Sequence, residues 1–173
     1  MLIVISNQVV PLMLFFSDVG NIMIADDGLT PVLMDFGSLV RARIFISSRQ
    51  EALELQDTAA EHSTMPYRAP ELFDVKTEST ITEKVDVWSL GCTLFALLYG
   101  YSPFEPPTES SLVGDSIALA VTQGQFKFPE SNYIDWGAKE VVKRCLVVDP
   151  DSRPSVREVR VLVESIITRM ENE

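Results

Sequence analysis

The sequence is poor in cysteine and histidine. Its 173 residues include two cysteines, Cys92 and Cys145, which form no CxxC pair, and a single histidine, His62. A disulfide framework, or a zinc site built from Cys and His, needs more of these side chains at closer spacing. We therefore expect both cysteines to fill the core and the protein to work in a reducing, intracellular setting.

Basic residues are also scarce. The chain has 14 Lys and Arg against 25 Asp and Glu, which gives a formal net charge of -11. A negative field of this size repels phosphate backbones and anionic lipids. The charge balance therefore argues against direct binding of nucleic acid.

No long hydrophobic run is present. The most apolar stretch covers residues 1–16, where Asn7, Gln8 and Pro11 interrupt a run that is already too short to span a bilayer. The basic region and the small-residue cleavage site of a signal peptide are missing. Leu2 stands where N-myristoylation requires Gly. We expect no transmembrane segment, no secretion and a cytoplasmic location.

Local patterns predict a mainly helical domain with one small β-hairpin. Two short apolar runs within residues 21–34 flank Asp26-Asp27-Gly28, where Gly28 can take a positive φ, which is typical of a hairpin turn. Helix starts are predicted from Ser or Thr followed three residues later by Glu, or from a capping Asp: Ser48 with Glu51, Thr80 with Glu83, Asp115, and Ser155 with Glu158.

The predicted helices have distinct ends and faces. The first spans about residues 49–61, and an amphipathic helix spans 136–146. The helix over residues 84–99 is apolar around most of its circumference, which predicts burial on nearly all sides. Gly100 and Gly124 are expected to end two of the helices.

Two tripeptides are the motifs that point most directly to a function. Asp35-Phe36-Gly37 directly follows the second β-run, and Ala69-Pro70-Glu71 begins 34 residues after Asp35. Each tripeptide alone is weak. Together with DVWSLG at the start of the buried helix and DPDSRPS before the last helix, they follow the order of the protein-kinase signatures.

From Val19 onward the chain resembles the C-terminal lobe of a eukaryotic Ser/Thr protein kinase. PVLMDFGS, the helical insertion before Ala69 and TEKVDVWSLGCTLFALLYG resemble the Numb-associated kinase family, above all its myristoylated and palmitoylated Ser/Thr branch. The resemblance implies a mainly α fold, a kinase-like C-lobe formed by a helical bundle with a small β-hairpin and lacking the N-lobe. It also implies an apolar, non-homologous segment over 1–18 and a partial kinase domain over 19–170.

The resemblance assigns a nucleotide site that uses ATP and Mg²⁺. Asp35 and Asn21 match the two metal-binding residues, since Mg²⁺ prefers oxygen ligands, and Phe36 and Gly37 complete the cofactor-binding motif. Two plainer interpretations stay open. Asp35 could simply close a strand into a turn, and Asn21 could be an ordinary residue at the start of a hairpin.

Other matched residues belong to the activation segment and its supports. Thr64 matches a Thr that bonds the catalytic Asp and Lys, and Ala69-Pro70 precede Glu71, which with Arg153 matches a buried ion pair. Asp86 matches a residue that accepts backbone N–H bonds from the catalytic loop. The alternatives are a loop hydroxyl for Thr64, solvated charges for Glu71 and Arg153, and a surface position for Asp86.

The catalytic loop departs from the family pattern H-R-D-x-x-x-x-N. Counting back from Asn21, Phe16 occupies the position of the catalytic base, and Asp18 occupies that of the phosphate-contacting Lys. Phenylalanine cannot accept a proton, so no catalytic residue is assigned. The Gly-rich loop, the strand Lys and the helix Glu are not found either, and we expect the chain to be inactive alone.

Three functional hypotheses remain. The first is a Ser/Thr kinase that phosphorylates protein substrates once it is complete. The second is a truncated, pseudokinase-like module that binds protein substrates or regulators without catalysis. The third is an unstable fragment, because the loss of one lobe exposes the cleft face. Membrane association, at the Golgi or other endomembranes, is implied by family analogy alone.

Overall fold

A computed structural model describes residues 2–5, 8–14, 19–34, 36–37, 39–105, 114–130 and 136–172. The described residues are mainly helical, as predicted. The helices are α1 (Arg49–His62), α2 (Lys84–Tyr99), α3 (Gly114–Gln123), α4 (Trp136–Cys145) and α5 (Val156–Met170). The strands are β1 (Leu2–Ile5), β2 (Gln8–Leu14), β3 (Ile22–Ile24), β4 (Pro31–Leu33), β5 (Leu39–Arg41), β6 (Ile44–Ile46) and β7 (Ser79–Ile81). Short 3-10 turns cover Val19–Asn21, Met65–Tyr67 and Pro70–Leu72.

The strands form three small antiparallel sheets. The predicted hairpin is confirmed: β3 pairs with β4, Ile22 lies opposite Leu33, and Gly28 takes a φ of 71°. Three further pairings were not predicted. Strand β1 pairs with β2, β2 pairs with β5, and β6 pairs with β7. The pairing of β2 with β5 joins residues 12–14 to the strand that follows the Asp-Phe-Gly motif.

One predicted capping box is complete and a second is only half formed. The Ser155 hydroxyl accepts the Glu158 N–H, and the Glu158 carboxylate accepts the Ser155 N–H at 2.7 Å, so the box at α5 is complete. At α1 the Ser48 hydroxyl accepts the Glu51 N–H at 3.2 Å, but the Glu51 carboxylate bonds the N–H of Ser47 at 2.7 Å. The Glu side chain therefore reaches one residue further back than predicted.

Two predicted helix caps are wrong, although α2 begins at Lys84 as predicted. Thr80 lies in β7, opposite Phe45 of β6, and the cap of α2 is Glu83, whose side chain makes no capping bond. Strand pairing has overridden the local capping signal there. Asp115 does not precede α3 but lies inside it, because that helix begins at Gly114.

Helix α2 lies at the centre of the core, as its apolar circumference predicted. Its Trp88 ring stacks on Phe104 with centroids 5.5 Å apart, and its Phe95 is fully buried among other aromatic rings. A Cβ added at Gly91 would lie 2.6 Å from the Cβ of Cys145. The missing side chain therefore allows α4 to approach α2 closely.

The helix ends also follow the prediction. Gly100 and Gly124 end α2 and α3 with φ of 83° and 62°, values that other residues adopt only with strain. Across the part of the chain that the structure describes, no helix has the length and apolarity needed to cross a membrane.

Candidate functional site

The β3–β4 hairpin positions the predicted nucleotide site. Asn21 ends the 3-10 turn that precedes β3, and its carbonyl accepts the N–H of Met34 at 2.8 Å. This bond holds the end of β4 beside Asn21. Asp35, the next residue, lies outside the described residues, whereas Phe36 and Gly37 are exposed.

The turn of this hairpin is stabilised by Asp27. Its carboxylate accepts the N–H groups of Leu29 and Thr30, each at 2.8 Å, and the Thr30 hydroxyl. These bonds, with the Thr30 hydroxyl contributing most, lower the pKa of Asp27 to about 2. The ionised carboxylate therefore helps to fix the strands that position Asn21.

The predicted metal ligands have the right chemistry for Mg²⁺. Asn21 and Asp35 would supply amide and carboxylate oxygens, and Mg²⁺ is usually held by one or two such groups together with waters and phosphates. The described residues contain no group of three or more His, Cys, Asp or Glu that could hold a metal ion.

The segment from Thr64 to Phe73 leads through the second motif. Thr64 is exposed, and its carbonyl accepts the N–H of Tyr67 at 2.9 Å. Ala69 is fully buried, and Pro70 opens a 3-10 turn in which the N–H of Leu72 bonds the Ala69 carbonyl. Proline suits this first position because its missing N–H would have no partner within the turn.

Glu71 and Arg153 form a buried, bidentate ion pair. The two guanidinium nitrogens Nη1 and Nη2 of Arg153 lie 2.9 Å from Oε1 and Oε2 of Glu71. The Arg153 side chain is fully buried and that of Glu71 is 12% exposed. Paired geometry of this kind is the strongest form of a charged hydrogen bond.

Arg153 also joins the surrounding elements. It donates to the carbonyls of Lys84 at 2.7 Å, Val147 at 2.9 Å and Val148 at 3.2 Å. Its guanidinium lies 5.2 Å from the centre of the Trp88 ring. One side chain therefore connects the Glu71 segment, the start of α2 and the loop that follows α4.

Arg68 is a second buried cation, which sequence reasoning missed. Its guanidinium donates to the Ser63 hydroxyl at 2.9 Å, the Ser63 carbonyl at 3.1 Å and the Ala60 carbonyl at 3.4 Å. It also lies over the Phe73 ring. Burial lowers the pKa of this Arg. Arg68 thus caps the C-terminal end of α1, a position where basic side chains are favoured.

Two serine hydroxyls form hydrogen bonds with the backbone of the Thr64–Phe73 segment. Ser89 of α2 donates to the Tyr67 carbonyl at 3.0 Å, and Ser102 donates to the Pro66 carbonyl at 3.3 Å. Both serines are buried. Sequence patterns gave no sign of these contacts, because the partners lie 22 and 36 residues apart.

Asp86 lies in the first turn of α2 and is half-buried. Helix α2 contacts the 3-10 turn that ends at Asn21 and also strand β2. The resemblance implies that Asp86 accepts backbone N–H bonds from the catalytic loop, of which residues 15–18 lie outside the described residues.

A family model described as protein kinase domain matches residues 16–162. The matched range begins at Phe16, which lies outside the described residues, and runs into α5. It therefore contains the hairpin, both tripeptide motifs and the Glu71–Arg153 pair.

Several curated proteins are similar to the chain. Serine/threonine-protein kinase ppk13 of Schizosaccharomyces pombe is 45% identical over 139 residues, which is 80% of this chain and 40% of that protein. Serine/threonine-protein kinase 16 of Homo sapiens is 43% identical over 136 residues, 79% of this chain and 43% of that protein. Serine/threonine-protein kinase ENV7 of Saccharomyces cerevisiae is 38% identical over 148 residues, 86% of this chain and 40% of that protein. The chain spans about two fifths of the length of these relatives.

Proposed function

We propose a function for a chain that belongs to the protein kinase family and has Ser/Thr kinase relatives. It forms the mainly helical, substrate-side lobe of a Ser/Thr protein kinase. In the complete protein this lobe would hold protein substrates while a phosphoryl group is transferred from ATP to Ser or Thr. The chain alone would not catalyse that transfer.

The Glu71–Arg153 pair is the observation that carries this proposal. Buried charges are costly unless they are paired and hydrogen-bonded, and removing one partner leaves the other stranded. The pair holds the segment after Thr64 against α2 without touching the predicted nucleotide site. A rigid segment at this place supports a role in positioning a substrate hydroxyl rather than in the chemistry itself.

The nucleotide side of the proposal rests on the hairpin. Asn21 and Asp35 would hold Mg²⁺ on the phosphates of ATP, with Phe36 and Gly37 fixing the turn after Asp35. When bound, the metal would neutralise part of the negative charge on the phosphates. The bond from Met34 to the Asn21 carbonyl supports this assignment, because it keeps the chain leading to Asp35 next to Asn21.

Helix α1 supports the finer placement in the Numb-associated family. It lies between Gly37 and Ala69, where the resemblance puts a helical insertion, and Arg68 joins it to the segment that follows. We propose a cytoplasmic protein, and by analogy to this family alone we propose that it associates with endomembranes.

A second candidate function is a binding module without catalysis. The specific reason is Phe16 at the position of the base and Asp18 at that of the phosphate-contacting Lys. A carboxylate in place of a Lys repels the phosphates of ATP. A lobe with these residues would present the Thr64–Phe73 segment to a partner protein without transferring phosphate.

A pair of chimeras tests both functions. The upstream portion of human serine/threonine-protein kinase 16 is joined to this chain at Asn21, either with the relative's own catalytic loop or with residues 15–20 of this chain. Transfer of radiolabelled phosphate to a Ser/Thr protein substrate is measured. We expect transfer with the relative's loop, and loss of it on Asp35→Asn but not on Asp26→Asn, a matched change in the exposed turn.

The outcomes separate the two candidates. No transfer with this chain's loop, together with activity after Phe16→Asp and Asp18→Lys, would favour the binding module for the chain as written. A chimera that carries the relative's loop, melts cooperatively and still transfers no phosphate would contradict the kinase proposal.

A further inference from the structure

A cavity of about 600 Å³ opens beside α3, on the side of the lobe formed by the loops that follow α2 and α3. Its volume lies in the range of ordinary ligand pockets. We call it the α3 groove, and its main lining residues are Tyr101, Phe104, Ala120, Phe126, Lys127 and Phe128.

The walls of the α3 groove are fixed by aromatic packing. The rings of Phe126 and Phe128 are 5.4 Å apart and nearly perpendicular. Phe128 lies 5.7 Å from the buried Phe95 of α2, and Phe126 lies 6.0 Å from Phe104. A groove that is already ordered loses little conformational entropy when a partner binds.

The segment after α3 has the pattern of an unpaired strand. Gln125 and Lys127 are exposed, whereas Phe126 and Phe128 are half-buried, which is the alternation of a β-strand. No hydrogen bond joins the backbone of Phe126, Lys127 or Phe128 to another described residue. These backbone groups are the kind to which a peptide adds as a further strand.

Two lysines lie at the groove. Lys127 lines it, and the Nζ of Lys143 lies 5.8 Å from the centre of the Phe128 ring. Neither lysine forms an ion pair with another described residue, while Glu140, near Lys143 on α4, is paired with Arg144 at 3.3 Å. Such lysines favour an acidic partner over a basic one.

Two carboxylates border the same loops. Glu105 follows Phe104 and Glu130 ends the strand-like segment, and both are exposed. They lie at the ends of the lining loops, whereas Lys127 lines the groove and Lys143 lies over the Phe128 ring. The attraction is therefore expected where an apolar side chain would sit.

We propose that the α3 groove docks a short peptide segment of a partner protein in which an aromatic or branched apolar side chain is flanked by acidic residues. The apolar side chain fills the groove, the flanking carboxylates approach Lys127 and Lys143, and the peptide backbone pairs with residues 126–128. This deepens the proposed function and rests on it, because the docked protein would be a substrate or regulator of the kinase.

Peptide binding to the whole chain tests the proposal. Fluorescence anisotropy is measured with labelled Glu-Glu-Phe-Glu-Glu, Glu-Glu-Ser-Glu-Glu and Lys-Lys-Phe-Lys-Lys peptides. We expect the first to bind roughly tenfold or more tightly than the second, because a buried Phe side chain contributes that much to affinity. The Lys-flanked peptide should bind more weakly than the Glu-flanked Phe peptide.

Three variants test the groove itself. Ala120→Trp fills the cavity without removing any packing and should weaken the best peptide about tenfold. The double variant Lys127→Glu with Lys143→Glu alters only exposed positions and should reverse the preference between Glu-flanked and Lys-flanked peptides. Arg157→Glu makes the same change on the exposed side of α5 and should leave both affinities as they were.

The outcomes are distinct from those of the kinase test. Equal binding of the Phe and Ser peptides, or an unchanged preference in the double lysine variant, would overturn the proposal even if Ala120→Trp proved unstable. A change in oligomeric state on Ala120→Trp, with peptide affinity unchanged, would show a contact between copies instead. Because the assay needs neither ATP nor a catalytic loop, an inactive chimera does not affect it.

Discussion

Helix α2 and the β3–β4 hairpin differ sharply in how they place apolar side chains. Nine of the 16 residues of α2 are buried. On the hairpin Met23, Ile24, Leu29 and Val32 are all exposed, Leu29 to 84%. Since burying one large apolar side chain contributes roughly 1.5 to 3 kcal/mol, the stability of the lobe comes from its helices.

The difference separates two kinds of site. The Thr64–Phe73 segment is held by the helical core through Arg153 and the buried serines, so its geometry is part of the stability of the fold. The hairpin that carries Asn21 has local hydrogen bonds and an apolar surface that no other described residue covers. Apolar patches of this kind are typical of surfaces that bind something.

The largest loss of stability is expected on removing the buried charge of Arg153. Arg153→Met should lower the free energy of unfolding by about 3 to 5 kcal/mol, because the Glu71 carboxylate would lose both of its bonds to Arg153 while it stays mostly buried. Urea unfolding measures the loss. The matched control is Arg157→Met, an exposed cation on α5, which should change stability by less than about 0.5 kcal/mol.

A double variant sharpens this result. Replacing Glu71 by Met together with Arg153→Met removes both charges, and it should recover part of the stability lost in the single variant. If the single and the double variant were equally unstable, the lost contacts of the Arg153 guanidinium with Trp88 and with the backbone carbonyls around it would be responsible rather than the charge left on Glu71.

A steric change in the same core comes next. Gly91→Ala should cost about 1 to 3 kcal/mol, because the new Cβ would lie 2.6 Å from the Cβ of Cys145 and force α4 away from α2. Gly100→Ala is the control: its methyl group meets no atom within 4 Å, so its cost reflects only the φ of 83°. Equal thermal midpoints for Gly91→Ala and the wild type would mean that the helices separate easily.

Much of this fold was predictable because its signals are local. The hairpin turn at Asp27-Gly28, the complete capping box at Ser155 and the glycine stops at Gly100 and Gly124 each depend on neighbours within a few residues. The burial of α2 follows from its composition alone. For the candidate site, the resemblance to the kinase family predicted the ion pair between Glu71 and Arg153, which the structure shows.

The contacts that the sequence did not predict join residues that lie far apart in the sequence. Ser48, Thr80 and Ser155 show the same local spacing to a Glu, yet Thr80 pairs with Phe45 across two strands that lie 35 residues apart. Arg68 and Ser89 bond carbonyls whose positions exist only after the helices pack. Such contacts leave no periodic trace in the sequence, so composition and spacing could not reveal them.

A smaller effect is expected at the capping box of α5, and it depends on pH. Bonds from the Ser155 hydroxyl and N–H lower the pKa of Glu158 in the folded chain. Its stabilising contribution is therefore complete above the unfolded pKa of about 4.3 and is lost as the pH falls through the lower, folded pKa. Glu158→Gln should flatten the decline of the urea midpoint between neutral and acidic pH.

Ser155→Ala serves as the companion variant. It removes the same hydroxyl without touching the carboxylate and should cost about 1 kcal/mol at neutral pH. If its pH dependence matched that of the wild type, the Ser155 hydroxyl would not be what lowers the pKa of Glu158, and the Ser155 N–H would have to account for it.

The smallest effect on stability should come from the hairpin. Met23→Ser replaces a side chain that is 52% exposed, so the free energy of unfolding should change by less than about 0.5 kcal/mol. The same variant in the active chimera should weaken the binding of ATP, measured as a higher KM with little change in stability, if this apolar surface faces the nucleotide. Met170→Ser, at a similarly exposed position at the end of α5, should change neither quantity. A large loss of stability in Met23→Ser would contradict the separation between a self-supporting helical core and a hairpin whose exposed surface serves binding.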